Sequence, residues 1–272
     1  MMNNRQRERG AEGVRDACCI AALGLVTAAL FRKALLGGEV ILSHPIFLDL
    51  THHIYPFRLF GFGLLARGVI PLWNPYLFCG APFVANWHSA IFYPLNFVFL
   101  ALPAHTALNW SIAFHFFLAG ALTYAFVRYV GKGRASALVA AVTFTFSGPY
   151  VVQLFPGHIF NPLPWFPLSL LLAEAAARRR STVYYVLCGI VLALQILAGH
   201  PQYMLYCAGG LVLYILYRAA CDCRDERRLS PLAFACAGLV ILILVGASLS
   251  AVQLLPGVEF ARHSGRALLR GP

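Results

Sequence analysis

Apolar residues in this chain fall in long, almost uninterrupted blocks, and a chain of that kind must place much of its length against something other than water. Blocks of near-spanning length lie at 17–36, 106–127, 135–155, 162–177, 182–199, 203–217 and 232–254. A helix needs about 20 apolar residues to cross the hydrocarbon core of a bilayer, so the pattern predicts a bundle of spanning helices. Composition agrees, since 60% of residues are hydrophobic and 11% are charged, against about 25% charged in ordinary soluble domains. The expected fold class is an all-α membrane protein, a polytopic helical bundle rather than a soluble globular domain.

Charge placement sets the expected topology. The formal net charge is +11, but the basic residues sit in short clusters between apolar blocks. That reads as topology signal and contact with anionic headgroups. No basic patch has nucleic-acid motif spacing, so no nucleic-acid partner is expected. The segment 89–103 is apolar but short, with Pro94 and Asn96 inside it. If it does not cross, the clusters Arg5 to Arg15, Arg128 to Arg134, Arg178 to Arg180 and Arg218 to Arg228 share one side. Opposite them stand Arg58, Arg67, Arg262, Arg266 and Arg270, while Arg32 and Lys33 snorkel from the end of the first span. If it did cross, this asymmetry would vanish. The positive-inside rule therefore predicts about seven spans, with the N-terminus cytoplasmic and 89–103 interfacial or re-entrant.

The expected organisation is a cytoplasmic tail at 1–16, a transmembrane domain at 17–255 with a long first outer loop at about 38–105, and an extracytoplasmic segment at 256–272. Arg32 and Lys33 follow the first apolar run directly, without a small-residue cleavage site, so it reads as an uncleaved span and not a signal peptide. Cys18, Cys19, Cys188, Cys207 and Cys236 lie in apolar blocks and read as small hydrophobes. Cys221 and Cys223 form a C-x-C in a charged loop. A metal site normally needs a second ligand pair, and without one nearby they read as free thiols.

This topology sorts the polar residues. Asp49, His52, His53, Trp73, Asn74, Asn86, His88, His158, Asn161, His200, Gln202, Glu259 and His263 all fall on the outer face. Asp49 is the only acid between Glu39 and Glu174 and sits in an apolar stretch. A carboxylate so placed can act as a general base, or hold a divalent ion with His52 or His53. It can equally be a structural partner of Arg58. The runs Pro71-Leu72-Trp73-Asn74-Pro75-Tyr76, Gly80-Ala81-Pro82-Phe83, Asn86-Trp87-His88 and Phe92-Tyr93-Pro94-Leu95-Asn96 interleave aromatics with amides and His. They suit either a sugar-binding platform or an aromatic belt that anchors the loop. Gly157-His158 and Gly199-His200-Pro201-Gln202 each follow the outward end of a block. They are phosphate-binding candidates or ordinary turn residues. The motifs of phosphate-cradling loops, H-E-x-x-H zinc proteases and G-x-S-x-G hydrolases are missing from the sequence.

On these residues the chain resembles the bacterial YfhO-type membrane proteins of the broad GT-C class of polytopic glycosyltransferases. The matching text is Asp49 with Tyr55-Pro56-Phe57-Arg58, the Pro-Leu-Trp-Asn-Pro-Tyr run at 71–76, Gly80 to Phe83, Phe92 to Asn96, Gly157-His158 and Gly199 to Gln202. The resemblance covers about residues 40–265. It implies a GT-C-like bundle in a bacterial plasma membrane that moves a sugar from a polyprenyl-phosphate donor to a cell-envelope glycopolymer or glycolipid. It assigns the catalytic role to Asp49, and the wider class often uses a divalent ion such as magnesium or manganese. Arg58, Trp73, Asn74, His88, His158, His200 and Gln202 then become the expected substrate-binding residues, with His52 and His53 as metal ligands. Leu48 stands where many relatives have glycine, and the relatives are longer, so the chain reads as their front portion, truncated after the outer segment. The rival expectations are a transporter or flippase of a lipid-linked or anionic substrate, which would use Thr143, Thr145, Ser147 and Gln195 mid-membrane, and an inactive membrane scaffold.

Overall fold

The computed structural model describes residues 2–37, 49–152 and 161–263. Among these the fold is almost wholly helical. Helix α1 (Met2–Leu30) leads through a short α2 (Arg32–Leu36) to the first loop. The loop comprises a π-helical turn (Leu50–Ile54), α3 (Tyr55–Leu65), a hairpin of β1 (Trp73–Asn74) and β2 (Ala81–Pro82), two 3-10 turns (Trp87–Ser89 and Pro94–Phe97) and α4 (Val98–Ala101). The bundle continues with α5 (Ala104–Tyr129), α6 (Arg134–Thr145), α7 (Gly148–Val152), α8 (Trp165–Arg179), α9 (Val183–Leu197), α10 (Pro201–Glu226), α11 (Ser230–Leu249) and α12 (Ala251–Arg262).

Four helices are long and apolar enough to cross a membrane: Ala11–Leu30 of α1, then α5, α10 and α11. Three predicted blocks fold into shorter pieces. The block at 135–155 breaks after Thr145, before Gly148 and Pro149, leaving α6 with 12 residues. That is a rise of about 18 Å, short of the roughly 30 Å hydrocarbon core. Helices α8 and α9 have 15 residues each, because Pro162 and Pro164 delay one start and Gly199-His200-Pro201 ends the other. The segment 89–103 forms only single helical turns and contains no spanning helix.

The main helices alternate in direction, as their charged partners show. Asp16 on α1 accepts from Arg128 at the end of α5 and Arg134 at the start of α6, at 3.1 and 2.8 Å. Glu174 near the end of α8 pairs with Arg178 at 2.6 Å and with Arg218 near the end of α10 at 3.2 Å. Arg180 and Glu226 pair beside them. The basic clusters thus gather at one end of the bundle, and the first loop folds over the other. The helix α10 runs through Cys221 and Cys223, so the expected C-x-C loop is helical instead. Side chains two apart on a helix point to nearly opposite faces.

Two cores support this arrangement. One joins the first loop to α5 through Leu50, Ile54, Phe57, Phe83, Ile91 and Phe116. The other lies among α8, α9, α10 and α11. Helices α9 and α11 approach closely because a Cβ on Gly189 would stand 2.9 Å from the Leu242 carbonyl oxygen. The outward faces stay apolar: Leu205 and Leu213 of α10 and Val240, Ile243 and Leu244 of α11 are exposed. Helix α12 continues past Pro256 and packs on the loop, with Gly257 against the Trp87 ring. Gln253 donates to the Val84 carbonyl at 2.6 Å.

Candidate functional site

At the end away from the arginine clusters a cleft of about 430 Å³ opens. Its polar lining is Asp49, His53, Asn86, His88 and His200, and its apolar wall includes Phe57, Leu77 and Phe78. These groups come from four places in the chain. Asp49 precedes the π-helical turn that carries His53. Asn86 and His88 belong to a 3-10 turn whose start is fixed by Asn86 Oδ1 accepting from the His88 N–H at 3.0 Å.

His200 arrives on the turn between α9 and α10. Gly199 has φ 95°, which favours glycine. A Cβ there would lie 2.6 Å from the Trp87 carbonyl oxygen and 2.9 Å from the Ala90 Cβ. Glycine therefore lets this turn lie directly on the Trp87–Ala90 turn. The result places the His88 and His200 rings edge to face with centroids 5.7 Å apart. His200 Nδ1 accepts from the Tyr203 N–H at 3.4 Å, capping α10, and Pro201 fills its first position.

Arg58 stands behind His88. It is 2% exposed, and its guanidinium donates to the His88 carbonyl at 3.3 Å and to the Ser89 carbonyl. It lies 5.9 Å from the Phe99 ring centroid. Among the described residues Arg58 makes no ion pair, and neither does Asp49, so the structural pairing considered for them does not form. Burial lowers the Arg58 pKa to about 10, which leaves it cationic at neutral pH. Burial is also the largest influence on His88, lowering its pKa to about 4. His200 and Arg58 push the same way, and Asp49 opposes them. Burial lowers His200 as well. Burial and these neighbours therefore favour the neutral imidazole of His88 over its cation.

The other expected site residues are used differently. Asn74 is buried and its Oδ1 accepts from the Tyr76 N–H at 3.0 Å, which shapes the hairpin. Trp73 lies on the hairpin with its ring against Gly80. Gln202 is exposed and donates to the Tyr206 hydroxyl at 2.6 Å. His52 does not line the cleft, and its Nδ1 lies 3.1 Å from Thr51 Oγ1. Consecutive residues on a helical turn face different ways, so only His53 of the proposed metal pair enters the cleft with Asp49. Among the described residues no three His, Cys, Asp or Glu side chains form a group that could hold a metal ion. His158 lies outside the described residues, as do residues 264–272.

The sequence reading passed over the device that holds the cleft in place. Tyr93 is fully buried and its hydroxyl lies 2.8 Å from His115 Nε2. Trp165 Nε1–H donates to the same hydroxyl at 2.8 Å. His115 Nδ1 lies 2.6 Å from the Ser111 carbonyl, which can only accept. The ring therefore carries its hydrogen on Nδ1, and Tyr93 donates to Nε2. This directed chain fastens the loop to α5 and α8. The available signal was an ionisable residue in the middle of the 106–127 block. Comparison with protein-family profiles, curated proteins and solved structures returns no match, so the meaning of the cleft rests on its own geometry and chemistry.

Proposed function

We propose that this chain is a multi-pass membrane glycosyltransferase of GT-C type, with its N-terminus in the cytoplasm and its cleft on the outer face of a bacterial plasma membrane. The donor is a polyprenyl-phosphate sugar and the acceptor a hydroxyl of a cell-envelope glycopolymer or glycolipid. Seven passes follow if α6, α8 and α9 cross beside the four long helices. The observation that carries this reading is the meeting of Asp49, His53, His88 and His200 in one cleft, backed by the buried cation Arg58, at the end of the bundle away from the arginine clusters.

The chemistry then runs as follows. Asp49 takes the proton of the acceptor hydroxyl. The freed oxygen attacks the anomeric carbon, whose bond to the phosphate oxygen breaks, and the configuration inverts. The leaving polyprenyl phosphate keeps the electron pair, and negative charge develops on it. N–H groups of His88 and His200 meet that charge, and Arg58 favours it through the peptide groups it polarises. Two of the mid-membrane groups a transporter would offer are engaged locally: Gln195 donates to the Pro162 carbonyl at 3.2 Å and Ser147 to the Phe144 carbonyl at 3.1 Å, while the buried Thr145 hydroxyl has no hydrogen-bond partner among the described residues.

The test is sugar transfer in proteoliposomes supplied with a polyprenyl-phosphate sugar. The Asp49→Asn protein should insert normally and lose transfer. Undiminished transfer by that variant would remove Asp49 from catalysis and, with it, this assignment.

A further inference from the structure

The hairpin between α3 and the Trp87–Ser89 turn presents an apolar surface to the outside. No charged residue occurs from 68 to 87. Trp73 is 56% exposed, Tyr76 85% and Phe78 87%, and Val69, Ile70 and Leu72 are also exposed. The base is firm: Phe60 meets Phe83 with centroids 5.0 Å apart and Tyr76 at 6.0 Å. At the tip, Phe78, Cys79 and Gly80 take φ values of 50°, 60° and 117° in succession. Two non-glycine residues in the left-handed region hold the Phe78 ring away from the base.

Position identifies what covers this surface. Phe78 and His200 line the same cleft, and His200 caps α10, one of the four helices of spanning length. The first turns of α10 carry the exposed Leu205 and Tyr206. The hairpin therefore stands at the level where a spanning helix enters the bilayer. Trp and Tyr with no charge between them match the headgroup boundary, where an amphipathic ring is favoured at both ends. We infer that the 69–80 hairpin inserts its exposed aromatic face into the outer leaflet beside the cleft. Leu77 and Phe78 then form a mouth at headgroup level, and a lipid-linked phosphate can reach His88 and His200 without leaving the membrane. This last consequence rests on the proposed function; the insertion itself does not.

The test reads depth at Cys79, which is exposed on the hairpin. Cys18, Cys19, Cys221, Cys223 and Cys236 are replaced by Ala, the buried Cys188 and Cys207 are kept, and a Cys79→Ala protein supplies the background. The 272-residue chain carrying a nitroxide is reconstituted in phosphatidylcholine–phosphatidylglycerol vesicles. Collision with dissolved oxygen should exceed collision with a water-soluble nickel chelate, and adding Tyr76→Ser with Phe78→Ser should shift the balance toward nickel. Nickel collisions dominating in the parent would place the hairpin in water and overturn the inference. Protection from both quenchers would do the same, by placing it against protein such as a second copy. Asp49→Asn should leave the depth unchanged, so a failure of the proposed chemistry and a failure of insertion give different readings.

Discussion

The two ends of the bundle treat their charges in opposite ways. At the basic end each buried or half-buried carboxylate has cations to match: Asp16 meets Arg128 and Arg134, and Glu174 meets Arg178 and Arg218. At the cleft end Asp49 stands outside any ion pair among the described residues, Arg58 is held by carbonyls, and two histidines face one another. Charge that is neutralised internally fastens helices together. Charge left unneutralised around a cleft is available to a ligand, and it marks the end where chemistry is to be sought.

The largest effect expected from that contrast falls on Asp49. Loss of a general base costs about 10²–10⁴-fold in rate, so Asp49→Asn should depress transfer by that order with little change in melting temperature. Glu174→Gln should do the reverse. The Glu174 side chain is 5% exposed, and removing one partner of a buried pair costs about 3–5 kcal/mol. Because its arginines reach solvent, a loss of about 1–3 kcal/mol is expected here, read as a lower melting temperature with transfer per folded molecule retained. If Glu174→Gln abolished transfer in well-folded protein, the division between the ends would fail.

Gly199→Ala probes the junction itself. With φ at 95° and the Trp87 carbonyl 2.6 Å from the new Cβ, it should cost about 1–3 kcal/mol and separate His200 from His88. Binding of a phosphodiester headgroup should weaken in consequence, as measured by titration of the reconstituted protein.

The smallest effects concern pH. His88 titrates near 6.5 when unfolded and at about 4 when folded. Between those values the unfolded state holds more protons, so stability present above pH 6.5 should decline as pH falls toward 4. An anion in the cleft favours the imidazolium and raises the pKa of His88. Binding of a phosphodiester, whose own charge is constant over this range, should therefore tighten from pH 8 to pH 5 in wild type and flatten in His88→Gln. A pH-independent affinity in wild type would place the anion away from His88.

Much of this site was legible because charge sorts along the sequence. Asp49, His53 and His88 fall in the first outer loop and His200 just past an apolar block, all on the side expected to lack arginine clusters, and the structure brings these four together. Direction within a turn was not legible. Asn74 serves the hairpin and Gln202 serves Tyr206, and such local uses depend on backbone angles that residue type does not reveal. Helices α6 and α9 are shorter than their apolar blocks because apolarity persists across their breaks, while Gly148-Pro149 and Gly199-His200-Pro201 end the helical hydrogen bonding. Leu77 and Phe78 reach the cleft only through the hairpin fold, and sequence spacing gives no sign of it.

The Tyr93–His115–Trp165 chain has a bearing on how the cleft can work in acid. Each hydrogen in it has one donor and one acceptor, and none of the three side chains needs a charge to hold its place. The clamp on the loop is thus built from uncharged partners in a fixed order, while the cleft beside it is lined by ionisable groups. Charge in the cleft and rigidity of the mount are separate properties of this molecule, and the first can vary without loosening the second.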